Sequence, residues 1–290
     1  MHALPFVIAL LIALTLAPAL LRALSDGGHT RANYRDHELP FPFGVLTLAA
    51  ALLALIPLLL LQRLASTQVL PGELLPVALY ALGVLALGLL DDTLGQGDRD
   101  ERGGAEAHPA HPAQRGWRGH GAATLRGELS TGTLKAAGSL GLALLAMSYL
   151  GLSNGRWLLA AGVLVLATNV FNLLDLRPGR ATKAFVLLGA GLAIGSADLH
   201  PLWELGLFAA PALVAGVYDL RERVMIGDTG ANLLGALAGL WLVLTLSGTG
   251  QLVALALLAG ITLYGELRSI STLIERTPGL RRLDSLGRPT

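Results

Sequence analysis

The stretch ALGLLDDTLG, residues 86–95, ends an apolar run with two adjacent acids, Asp91 and Asp92. The run, over residues 73–90, is close to the roughly 20 mostly apolar residues that a helix needs to cross a bilayer. A helix that stops here turns its partial negative charge toward the two carboxylates, which also repel one another. Such a pair calls for a compensating cation, either a divalent metal or a nearby Lys or Arg. Taken alone, it also reads as two solvated acids marking the end of a span, although acids at a membrane boundary lean toward function.

The rest of the chain has the same character. Of 290 residues, 53% are hydrophobic and 14% are charged, against about 25% charged in a soluble domain. Mean hydropathy is +0.61, the balance of an integral membrane protein. A net charge of +1 gives no footprint for nucleic acid. The absence of Cys excludes disulfides, thiolate metal sites and a Cys nucleophile.

The expected fold is all-α, a polytopic bundle. Nine apolar segments stand as candidate spans, at about 3–22, 43–61, 73–90, 133–151, 156–173, 183–198, 201–218, 229–247 and 250–267. The segment 183–198 is the weakest of them. The first has no basic residue before its apolar run, Arg22 being the first, so it reads as a retained span rather than a cleaved leader. Of the 21 Lys and Arg residues, all but Arg63 and Arg156 fall in one set of loops. The positive-inside rule makes that set cytoplasmic, with the N-terminus outside and the C-terminus inside. Residues 1–267 then form a transmembrane bundle with a Gly-, His- and charge-rich loop at 96–132. Residues 268–290 read as a tail at the inner surface, where Leu273, Leu280, Leu283 and Leu286 alternate with Arg.

Two further clusters sit at the same ends of the expected spans as Asp91 and Asp92. In TNVFNLLDLRPGR, 168–180, Asn169, Asn172 and Asp175 recur every three residues, so they share one drifting helix face. They suit a metal or a polar ligand, or an interhelical clamp, the favoured reading for Asn169 alone. Arg177, Arg180 and Lys183 follow and suit phosphates, or simply obey the positive-inside bias. In MIGDTGANLLGALAGL, 225–240, Asp228 precedes a Gly- and Ala-rich span. It reads as an N-cap, as a metal ligand, or as both. Oxygen donors without Cys or His suit Mg²⁺ or Mn²⁺, and acids with Mg²⁺ and basic residues suit phosphoryl chemistry.

These motifs resemble those of the polyprenyl-phosphate N-acetylhexosamine-1-phosphate transferases. That family includes the phospho-MurNAc-pentapeptide translocase and the UDP-GlcNAc:undecaprenyl-phosphate GlcNAc-1-phosphate transferases. NYRDHELPFPFG, 33–44, resembles its first cytoplasmic loop, and LLDDTLG its paired-Asp motif. NVFNLLD resembles its Asn-x-x-Asn-x-x-Asp motif, and GDTGANLLG its Gly-Asp-x-Gly-Ser-x-x-x-Gly motif. The four occur in the family's order. The resemblance implies a cytoplasmic active site in the plasma membrane that uses Mg²⁺ to move a sugar-1-phosphate from a UDP-sugar to a polyprenyl phosphate, releasing UMP. It further implies catalytic roles for Asp91, Asp92 and Asp228, with Asp228 and Asn172 as metal ligands. The substrate-binding set would be Asn33, Asn169, Asn172, Asp175, Arg177, Arg180, Lys183, Arg281 and Arg282. A homodimer is open.

The chain also departs from the family. Asp175 is followed by LRPGR rather than Gly-x-Asp-Gly, and the family's His-rich loop gives way to IERTPGLRRLDSLGR. The family has ten or eleven spans where nine are counted here. His108, His111 and His120 read as residues of the long loop. Two function classes therefore stand: an active phosphosugar transferase, or a non-catalytic relative that binds lipid phosphate or joins an envelope complex.

Overall fold

The computed structural model describes residues 2–94 and 131–289. Most of the long loop expected at 96–132, with its three histidines, lies outside these residues. The described chain is an all-α membrane protein. Its helices are α1 (Leu4–Asp26), α2 (Val45–Leu64), α3 (Leu74–Leu94), α4 (Thr131–Ser148), α5 (Asn154–Leu174) and α6 (Arg180–Ser196). They continue as α7 (His200–Glu204), α8 (Gly206–Leu220), α9 (Gly227–Thr245), α10 (Gly248–Leu267), α11 (Ile270–Arg276) and α12 (Pro278–Ser285).

Among the described residues, six helices are long and apolar enough to cross a membrane: α1, α2, α3, α5, α9 and α10. Helices α4 and α8 are apolar but shorter. The segment expected at 201–218 is two helices, because the chain breaks at Leu205 between α7 and α8. The weak segment at 183–198 is α6, which begins on Arg180 and carries Lys183. Large apolar side chains such as Leu52, Ile56, Leu60, Leu257 and Leu263 stand exposed on the outer helices, as befits a lipid-facing surface.

Helix α9 is the axis. Its apolar window is 89% buried, whereas that of α10 is 11% buried. Small residues make this possible. A Cβ on Gly235 would lie 2.6 Å from Thr168 Cα and 2.9 Å from the Ala167 carbonyl oxygen, both on α5. One turn on, Gly239 meets Leu164 in the same way. Close backbone approach through small residues drives helix association in lipid, where no hydrophobic effect separates helix from solvent. Gly235→Leu should therefore lower the thermal unfolding temperature in detergent. Overpacking typically costs about 1–3 kcal/mol, more than the helix-propensity gain of up to about 1 kcal/mol offsets. An unchanged unfolding temperature contradicts the crossing.

One end of the bundle is knotted together by loops. A short antiparallel hairpin pairs β1 (Thr30–Ala32) with β2 (Glu38–Pro40), with Arg31 opposite Leu39. Beyond it, the Met225 amide donates to the Pro40 carbonyl at 2.9 Å. The Phe43 and Gly44 amides donate to the Met225 and Ile226 carbonyls at 2.8 and 3.0 Å. The Pro-rich loop and the lead-in to α9 thus form one unit.

Candidate functional site

Glycines bring the acids to that end. A Cβ on Gly88 of α3 would sit 2.6 Å from the Asp228 carbonyl oxygen, so α3 runs directly against the first turn of α9. One turn further along α3, Asp92 is 4% exposed and points at that turn. Its Oδ1 accepts the Asp228 amide at 3.0 Å, and its Oδ2 accepts the Thr229 amide at 2.8 Å and the Thr229 hydroxyl at 2.6 Å. Gly227 is required beneath it: its φ is +69°, and any Cβ there would come 2.5 Å from Asp92 Oδ2.

This corrects the expected roles. Asp228 is not the N-cap of α9; Ile226 holds that position without a side-chain bond, and Asp228 lies in the first helical turn. The cap is supplied in trans by Asp92, whose two oxygens answer the helix's unpaired N–H groups. Asp92 therefore positions α9, with both carboxylate oxygens engaged. Adjacent helical residues point about 100° apart, so Asp91 faces a different partner.

That partner is Lys135 of α4. Its Nζ donates to Asp91 Oδ2 at 3.4 Å and makes a short bond to Asp228 Oδ2. The three side chains are partly exposed, at 15% for Lys135, 20% for Asp91 and 31% for Asp228. The compensating cation beside the paired acids is thus a lysine. The α3–α4 packing that delivers it again uses glycine, with Gly83 against Leu142 and Gly138 against Leu87.

Near this cluster, Asp175 caps the C-terminus of α5 and is half-buried. Burial, and then the charges of Asp219, Asp228 and Asp92, push it well above the usual carboxylate range. Arg180 opposes the shift without reversing it. A raised carboxyl holds its proton in the folded state at pH values where the unfolded chain has released it. Stability therefore falls as pH rises from about 4, the unfolded value, toward the raised folded one. Asp175→Asn should unfold at a higher temperature than the parent at pH 8 and show a flatter pH dependence above about pH 4. A variant that is less stable at pH 8 contradicts this.

Asn172 is half-buried on the last turn of α5 and makes no side-chain hydrogen bond among the described residues. Asn169 Nδ2 donates to Thr262 Oγ1 of α10 at 3.2 Å. It is an interhelical clamp and not part of the acidic cluster. Asn33 Oδ1 accepts the Arg35 and His37 amides at 2.8 and 3.0 Å, so it shapes the hairpin turn.

The basic residues after Asp175 are all engaged. Arg177 stacks over Tyr34 at 4.3 Å and pairs with Glu275 at 3.5 Å. Arg180 is 5% exposed and grips both oxygens of Asp284 at 2.9 and 3.0 Å. Lys183 donates to the Asp284 and Leu286 carbonyls. Arg281 and Arg282, expected at the ligand, are exposed on α12. Arg288 of this segment donates to the Pro178 carbonyl at 2.9 Å and to Asp284 at 2.7 Å. Asp219 of α8, which no motif singled out, accepts the Gly179 amide at 2.7 Å and anchors the turn before α6.

Among the described residues, no group of three or more His, Asp or Glu side chains is disposed to hold a metal ion. The described residues therefore do not form a closed protein cage for Mg²⁺. Two carboxylates sharing one ammonium do define a cation position. Mg²⁺ is commonly held by one or two carboxylates together with water and substrate phosphates, and Asp91 and Asp228 have that chemistry. No protein-family model matches the chain, and no curated protein matches it.

Proposed function

We propose that the protein transfers a sugar-1-phosphate from a UDP-sugar to a polyprenyl phosphate, with Mg²⁺, and releases UMP. It would act at the cytoplasmic face of the plasma membrane, in envelope glycan synthesis, through a nine-span bundle with its N-terminus outside. The observation that carries this reading is the junction of α3, α4 and α9. There, residues far apart in the chain put Asp91 and Asp228 on one ammonium, while Asp92 locks the helix that presents Asp228.

In this reading an oxygen of the lipid phosphate attacks the sugar-bearing phosphorus. The bond from that phosphorus to the bridging oxygen breaks, and UMP leaves. Asp91 orients the lipid phosphate and takes its proton where one is present. Lys135 offsets the negative charge that gathers between the two acids and the phosphates. Asp228 with Asp91 would hold Mg²⁺ that arrives with the diphosphate, and Mg²⁺ supplies neutralisation of the phosphate charge. In this reading Asn172 and Asp175 serve as donors toward the nucleotide or sugar.

The test is purified protein in detergent with undecaprenyl phosphate, Mg²⁺ and a panel of UDP-sugars, reading UMP. Turnover is expected with at least one donor. A second reading, a non-catalytic lipid-phosphate binder, draws on the engagement of Lys135, Arg180 and Lys183 within the chain. It expects lipid phosphate to bind equally with and without Mg²⁺, and no UMP.

A further inference from the structure

We propose that Arg180, Lys183, Ser271 and Arg288 form a phosphate-binding site that the chain's own Asp284 holds closed. Arg180 donates to both Asp284 oxygens and, at 3.0 Å, to the Ser271 hydroxyl. A guanidinium fork fits a carboxylate and a phosphate in the same two-pronged way, so Asp284 stands where two phosphate oxygens would sit. Arg288 donates to the same carboxylate. Among the described residues, the hydrogen bonds of Lys183 go to neutral main-chain carbonyls of this segment.

Charge points to a ligand with more charge than a carboxylate. Three cations surround Asp284; of the neighbouring acids, Asp219 lies near Arg288, and Asp175, whose carboxyl burial holds toward its neutral form, lies near Arg180. Two negative charges leave one positive charge unmatched. A phosphate group, at about −1.5 to −2, would match it in Asp284's place.

The segment is also built to leave. Helix α12 has no buried residue. Leu280, Leu283 and Leu286 are 42%, 37% and 61% exposed. The contacts that dock it include the ion pairs of Asp284 and the approach of Gly287 to Leu220, and segments with few buried apolar contacts open at low free energy. Burial works against the ionised form of Asp284, but the bonds from Arg180 and Arg288 outweigh it and hold its carboxyl below the usual range. The strap therefore stays charged and docked at neutral pH until a competing anion arrives.

The phosphate class rests on the phosphoryl-transfer reading; the competition itself does not. Binding is therefore measured on the full chain without Mg²⁺, sugar nucleotide or turnover, so its failure and the failure of the transferase assay are separate events. Equilibrium dialysis with labelled pyrophosphate should show Asp284→Asn binding about tenfold or more tighter than the parent. Arg180→Gln should bind at least about tenfold weaker than Asp284→Asn when added to it. In the unmodified protein, pyrophosphate should speed tryptic cleavage after Arg281 and Arg282 as α12 lifts. Acceleration by pyrophosphate assigns a soluble phosphate ligand, and acceleration by dodecyl phosphate alone assigns a lipid one. If neither anion changes the cleavage rate, or if folded Asp284→Asn binds pyrophosphate no better than the parent, the proposal is wrong.

Discussion

Asp228→Asn should abolish most UMP release while leaving the protein folded. Asp228 contributes nothing through its side chain to the capping of α9, and its carboxylate is 31% exposed. Asparagine keeps the shape and still accepts a bond from Lys135. What it loses is the charge that would neutralise a cation bound with the diphosphate. Removing one preorganised electrostatic contact of this kind costs about 10²–10³ in turnover. The expected result is a fall of that size, with an unfolding temperature within a few degrees of the parent. Full turnover by Asp228→Asn removes the acid from the mechanism.

The second large effect separates two adjacent residues. Asp92→Ala should leave little folded protein, whereas Asp91→Asn should fold and fail in turnover. Asp92 accepts three hydrogen bonds at the start of the most buried helix, and it is 4% exposed. Alanine would strand two amides and a hydroxyl. Each unmet buried donor costs about 1–3 kcal/mol, so the sum reaches a large share of the roughly 5–15 kcal/mol stability of a typical protein. Thermal unfolding of the two variants side by side reads the difference. If Asp92→Ala unfolds at the parent temperature, the capping role assigned to it fails. If Asp91→Asn turns over normally, then Asp91 does not orient the lipid phosphate.

The three motifs were legible because each ends or begins an apolar segment, and such ends are where a membrane chain exposes chemistry. The small residues of α9 announced close packing, and Gly235 and Gly239 deliver it. Which of two neighbouring acids turns inward was not legible. Sequence fixes the 100° step between Asp91 and Asp92 but not the rotation of α3 against α9. Lys135 was hidden for another reason. In sequence it is one of many basic residues on one side of the expected spans, and it lies 44 positions from Asp91 and 93 from Asp228. Only the α3–α4 packing at Gly83 and Gly138 selects it. The final segment shows the same limit. Arg281 and Arg282 were the obvious pair there, and they are exposed, while Arg288 binds the Pro178 carbonyl and Asp284. Asp219 and Asp284 carried no motif, because their roles depend on loops meeting in space.

The final segment, residues 268–290, carries arginines and no His. Two basic residues, Arg180 of α6 and Arg288, are bridged there by Asp284.

The cluster of Asp91, Asp228 and Lys135 is proposed to perform phosphoryl transfer. The most direct measurement is UMP release by the purified full chain with undecaprenyl phosphate and a panel of UDP-sugars, with and without Mg²⁺. The expected result is Mg²⁺-dependent UMP, matched mole for mole by lipid-linked sugar, with at least one donor. Folded protein that binds lipid phosphate but releases no UMP from any donor would contradict it.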